Sequence, residues 1–168
     1  MQFGVNNDTS LFLECLIGNI DNELTIICSK SIERPSTTEE NKASAQGNDT
    51  LLKILDGTTV VEPNPKQVYK IYFDEYIMYQ ARAERFCMFD PDEVRIGNGL
   101  ILFEKSKLLD HLRTFTPFLL GTEDGHPGYP GGDWKHYGIY TEFNVIDVIS
   151  HREPIIERVK LEDYNFAV

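Results

Sequence analysis

The chain has 168 residues, 41% hydrophobic and 26% charged, with 27 carboxylates against 16 lysines and arginines for a formal net charge of −11. That length and composition suit a single globular domain over residues 1–168 with its own core, and they exclude a disordered polyanion. The charge disfavours nucleic acid and anionic membrane as partners, and its field favours a basic protein or a cation.

From Ser10 to Lys30 the apolar residues alternate, with Leu11, Leu13, Cys15 and Ile17 on one run and Leu24, Ile26 and Cys28 on the next. Gly18-Asn19-Ile20-Asp21-Asn22 lies between them and tolerates positive φ, so a β-hairpin is expected. Residues 33–50 carry nothing large and apolar, which reads as a mobile loop. Leu51 to Leu55 is a short apolar run. Glu62-Pro63-Asn64-Pro65 is extended or turning, because each proline biases its predecessor away from helix.

Tyr69 to Tyr79 shows a clear period of two, with Tyr69, Ile71, Phe73, Ile77 and Tyr79 on one face and Lys70, Asp74 and Gln80 on the other. Strand is the expected state, and helix competes from Phe73 into Ala81-Arg82-Ala83-Glu84-Arg85. Asp90-Pro91-Asp92-Glu93 is an acidic turn, and Leu100 to Phe103 a short buried strand. Ser106 has the position of an N-cap ahead of Leu108, Leu109, Leu112 and Phe115 at helical spacing, and Pro117 ends that helix. Residues 121–133 hold five glycines and two prolines and form a long loop. Two more strands, Tyr137 to Tyr140 and Val145 to Ile149, join through Thr141-Glu142-Phe143-Asn144, and Pro154 interrupts the segment after them.

The sum is an α+β, β-rich domain with a mainly antiparallel sheet of about six or seven strands and one amphipathic helix. No stretch approaches the roughly 18 apolar residues of a membrane span, and Met1-Gln2-Phe3-Gly4 does not begin an export signal, so a cytoplasmic protein is expected. Cys15, Cys28 and Cys87 are odd in number and lie among apolar neighbours, as buried thiols in a reducing compartment do.

No motif demands catalysis or a cofactor. No two of His111, His126, His136 and His151 have the i, i+4 spacing of helical zinc sites. A metal site assembled through space from Asp124, His126, Asp133 and His136 would make the chain a small hydrolase, the alternative reading. Glu123 to Gly128 lacks the ligand pattern of a calcium loop, and no Gly-Lys-Ser/Thr follows the glycines to bind phosphate. Cys87 pairs with His136 or His111 only on paper, since a thiol between Phe86 and Met88 is expected to be buried. Asp147, between Ile146 and Val148 in a strand apolar on both faces, requires a partner such as an arginine or backbone amides. Glu84, beside Arg82 and Arg85, reads as a surface ion pair.

More residues favour binding. Asp90, Asp92 and Glu93 form one acidic loop. Glu123, Asp124 and Asp133 flank Tyr129 and Trp134 in a second, with His136 close by. Carboxylates speed encounter with a basic surface, and an aromatic anchor slows departure. If instead the acids serve only solubility, the chain is an accessory or structural subunit.

Tyr72-Phe73-Asp74-Glu75-Tyr76-Ile77-Met78-Tyr79, Glu84, Lys105-Ser106 with Leu109-Asp110, and His136-Tyr137-Gly138-Ile139-Tyr140 leading to Val145-Ile146-Asp147-Val148-Ile149-Ser150 carry a resemblance of pattern. In them the chain is similar to small bacterial cytoplasmic proteins of polymorphic-toxin immunity. The resemblance implies a protein that neutralises a toxin by plugging its active site or holding an inactive complex, without catalysis or cofactor.

Overall fold

The alternation that opens the chain forms a hairpin of β1 (Leu11–Gly18) and β2 (Leu24–Pro35). Its turn is set by Asn19, whose Oδ1 accepts from the amides of Asp21 and Glu23, and by Asn22 at φ 61°. The computed structural model describes residues 10–115 and 134–164. After the hairpin come α1 (Thr38–Ala45), α2 (Asp49–Leu55), β3 (Thr59–Phe73), β4 (Met78–Ala83), β5 (Val94–Ile96) and β6 (Leu100–Lys105). They are followed by α3 (Lys107–Phe115), β7 (Lys135–Tyr140), β8 (Asn144–Ser150) and β9 (Ile155–Val159). Single 3-10 turns occur at Glu84–Phe86 and Leu161–Asp163. Met1-Gln2-Phe3-Gly4, Pro117 and the 121–133 loop lie outside the described residues.

The strands make two antiparallel sheets, β1-β2-β3-β9 and β4-β8-β7-β6-β5. This corrects the expectation of six or seven strands in one sheet, while the α+β, mostly antiparallel character stands. The period of two decides what lies between the sheets. Leu24, Ile26 and Cys28 of β2, with Ile71 and Phe73 of β3, meet Leu100, Tyr137, Ile139, Ile146 and Val148 of the other sheet. The Phe73 and Tyr137 rings meet edge to face with centroids 5.5 Å apart. Burying each such side chain contributes about 1.5–3 kcal/mol, so this layer dominates the hydrophobic stabilisation.

The opposite parity of β8 faces the other way. There Ile149 packs with Leu109 of α3 and with Trp134, flanked by Ile77, Met78, Leu108 and Leu112. Ser106 caps α3 as expected, its Oγ accepting from the Leu109 amide at 2.9 Å.

The single strand expected from Tyr69 to Tyr79 is two strands, broken over residues 74–77, which place β3 and β4 in different sheets. After β4 the competing helix amounts to one 3-10 turn. Glu62-Pro63 belongs to β3, and Lys30 of β2 opposes residues 64–67 in a wide irregularity that accommodates Pro65. Pro154 directly precedes β9 rather than interrupting it.

The 33–50 segment is mostly regular structure. Glu33 to Pro35 complete β2, and Thr37 with Glu40 forms a reciprocal capping box that starts α1. Arg34 reaches both Glu40 and Glu62, and its bond, followed by those from Thr37, holds the Glu40 carboxyl down to about 2. Asn41 Nδ2 donates to Leu55 O, tying α1 to α2. Among the described residues no helix is long and apolar enough to cross a membrane.

At Gly138, opposite Asp147 on β8, a Cβ would lie 2.9 Å from ring carbons of both Phe103 and Tyr140. Both rings are engaged in stacks, so Gly138→Ala should lower stability by about 1–3 kcal/mol through overpacking, read as a fall in the denaturant midpoint with unchanged slope.

Candidate functional site

The outer face of the five-stranded sheet holds a buried polar chain. Gln80 and Arg82 of β4, Asp147 of β8 and His136 of β7 all fall on this face, and Ser106 meets them at the start of α3. Asp147 Oδ2 accepts from Gln80 Nε2 at 2.9 Å and from Arg82 Nη2 and Nε at 2.7 and 3.1 Å. Its Oδ1 lies 3.1 Å from His136 Nε2, and His136 Nδ1 lies 2.7 Å from Ser106 Oγ. An ionised Asp147 can only accept, so Nε2 carries the proton that faces it; in the neutral ring Nδ1 is then an acceptor and takes the Ser106 proton, while Ser106 Oγ accepts from the Leu109 amide.

Burial alone would raise the Asp147 carboxyl, which is 1% exposed. The bonds from His136 and Gln80 and the charge of Arg82 outweigh it and hold the carboxyl below its ordinary value. The partner that the apolar strand demanded is therefore present.

Serine, histidine and aspartate in a line are the residue set of a nucleophilic triad, and here they do another job. Ser106 is 4% and His136 2% exposed, and the hydroxyl is committed to the helix cap. A reacting carbonyl has no approach to it. The chain of bonds joins β4, β8, β7 and α3.

The acids expected to meet a partner separate into groups. Asp90 and Asp92 both bind Lys107 Nζ, at 2.6 and 2.9 Å, and Glu93 accepts from the Lys107 amide and from Arg95. The bond from Lys107, then the Asp92 amide, lowers the Asp90 carboxyl. These carboxylates gather at the N-terminus of α3, where the helix dipole favours them. Glu123, Asp124, Tyr129 and Asp133 lie outside the described residues, as does His126. Trp134, 8% exposed, and His136 are interior residues beneath α3, so the expectation that they meet a partner gives way to a packing role.

Among the described residues no three metal-ligating side chains converge, and both nitrogens of His136 are spent on Ser106 and Asp147. Cys28 is buried; burial, then the charge of Glu14, pushes its thiol up to about 12. Cys87 is only half-buried, with Sγ 3.5 Å from Ala83 O, and its neighbours Phe86 and Met88 are exposed, which corrects the expected buried thiol.

Those neighbours lead to the surface that the sequence reading missed. Phe86, Met88 and Phe89 are exposed by 76, 92 and 72%, and Phe143 in the β7–β8 turn by 72%. The Glu84 amide donates to Phe143 O at 2.9 Å, which joins the two segments. Beside them opens a cleft of about 490 Å³ with Glu84, Phe89, Ile101, Tyr140 and Glu142 in its lining. Phe89 stacks on Tyr140 at 5.9 Å and carries the Arg95 guanidinium 4.4 Å from its centroid. Arg95 also lies 5.4 Å from the Phe103 centroid, and Phe103 stacks on His136 at 3.9 Å. An exposed ring is thus anchored through successive contacts to the buried polar chain. Arg82 pairs with Asp147 rather than Glu84, and among the described residues neither Glu84 nor Glu142 has a salt bridge. The available signal was three large apolar residues within four positions beside an acidic turn.

Asp147→Asn should cost about 3 kcal/mol, the low end for breaking a buried pair, because Arg82 keeps one side in water. The Asp147 carboxyl is lower in the folded state than its ordinary 3.8, so its contribution is complete above that value and disappears as pH falls through the folded one. The gap between wild type and Asp147→Asn in urea melts should therefore narrow as pH falls below about 4. In comparisons with known proteins, no family model, no curated protein and no solved structure matches the chain.

Proposed function

We propose that this chain is a non-catalytic binding protein that grips a basic macromolecule, specifically a cytoplasmic immunity protein that neutralises a bacterial toxin such as a nuclease. The observation that carries the reading is the anchored aromatic platform around Phe89, set beside Glu84 and Glu142 on a chain of net charge −11. Long-range attraction draws in a cationic surface, and large apolar side chains released from water on contact then resist separation. A nuclease surface that receives phosphate backbone has the charge to answer this one.

The polar residues best suited to chemistry support the same reading by their position. Ser106, His136 and Asp147 hold strands to a helix instead of facing solvent. The resemblance to toxin-immunity proteins points the same way, independently of the surface.

Co-expression with basic toxin domains, beginning with any encoded beside this chain, should restore growth, and soluble protein that protects against none of them contradicts the proposal. With the neutralised toxin in hand, association should slow by about tenfold or more between roughly 50 and 500 mM salt, with dissociation changing far less. Equal association rates at both salts would show that the charge serves solubility alone.

A further inference from the structure

We propose that the cleft between the Glu84 turn and the β7–β8 turn is a socket for one arginine side chain of the partner. This rests on the binding reading above and names the chemistry by which it works.

The lining combines negative charge with aromatic wall. Glu84 is exposed and Glu142 half-buried, and among the described residues neither is neutralised by a salt bridge. The aromatic wall comes from Phe89 and Tyr140, whose rings are nearly parallel with an interplanar angle of 9°. A purely aliphatic occupant would leave the carboxylates to lose water without return. A compact ammonium would answer their charge yet gain less from the rings. A guanidinium does both, since it is planar, weakly hydrated, stacks on aromatic faces and offers paired donors to carboxylate oxygens.

The protein already shows that pairing once, because Arg95 lies over the same Phe89 ring. Phe89 as a residue is still 72% exposed with Arg95 and Tyr140 against it, so part of its side chain is open to a second guanidinium. Arg95, Tyr140 and Phe103 hold it in place beforehand, which reduces the ordering cost of binding.

The test is a titration of the isotope-labelled full chain, followed by amide NMR, with N-acetyl-arginine amide and its lysine, citrulline and leucine counterparts. The arginine probe should saturate with a Kd on the order of millimolar and move the amides of Glu84, Phe89, Tyr140, Glu142 and Gly99, which also lines the cleft. Lysine should bind at least about fivefold more weakly, and Glu84→Gln/Glu142→Gln should weaken arginine by about fivefold or more with an unchanged melting temperature. Equal binding of lysine would overturn the arginine assignment. Equal binding of citrulline or leucine, or no localised shifts with arginine, would remove the socket. The same double variant separates this proposal from the wider one: if wild type and variant rescue growth equally, the partner docks elsewhere and only the socket fails.

Discussion

A carboxylate taken out of water must be met by donors, and Asp147 imposes that constraint on half of this fold. Its two oxygens draw on Gln80 and Arg82 from the strand on one side and on His136 from the strand on the other. His136 in turn engages Ser106, which starts α3. A shift of one residue in any of these strands would turn its donors to the sandwich interior and strand a charge among Ile146, Val148 and Tyr137. Hydrophobic burial stabilises the two sheets against each other; the carboxylate makes one register of the second sheet far better than its neighbours.

The consequence reaches the surface. His136 supports Phe103 by stacking, Phe103 and Phe89 bracket Arg95, and Phe89 stands exposed at the cleft. The exposed Phe89 ring therefore rests on the most constrained part of the molecule. Recognition by acidic loops alone would be fast and weak, because exposed ion pairs contribute at most about 1 kcal/mol each. Preorganised aromatic surface supplies what charge cannot, and charge supplies the encounter rate that aromatic surface cannot.

The parts of this architecture written in local patterns were legible in the sequence. The β1–β2 hairpin, the cap at Ser106, the β7–β8 pair and the need of Asp147 for a partner all follow from alternation, turn residues and the cost of burying charge. Sheet membership was not, because a period of two marks a strand without saying which strands share a sheet. The break at residues 74–77 looks like continuous strand pattern and is where the chain changes sheets. Helix α1 escaped notice because its eight residues bury only Asn41 and Ala45 and contain no large apolar side chain; the Thr37-x-x-Glu40 box was the one sign of it. At the candidate site, Glu84 was noticed but read as a surface ion pair beside Arg82 and Arg85, and Asp147 claims Arg82 from 65 residues away. Phe86 and Met88 entered only as the apolar neighbours of a thiol expected to be buried, and Phe89 was not singled out, because apolar side chains usually face inward.

Hydrogen exchange on the chain bound to a toxin domain shown by co-expression to be neutralised measures most directly whether this surface is the one proposed to grip. The account predicts new protection in residues 84–89, 98–101 and 140–143, with β9 exchanging as in the free protein. Protection confined to the first sheet, with the Phe89 segment unchanged, would contradict it.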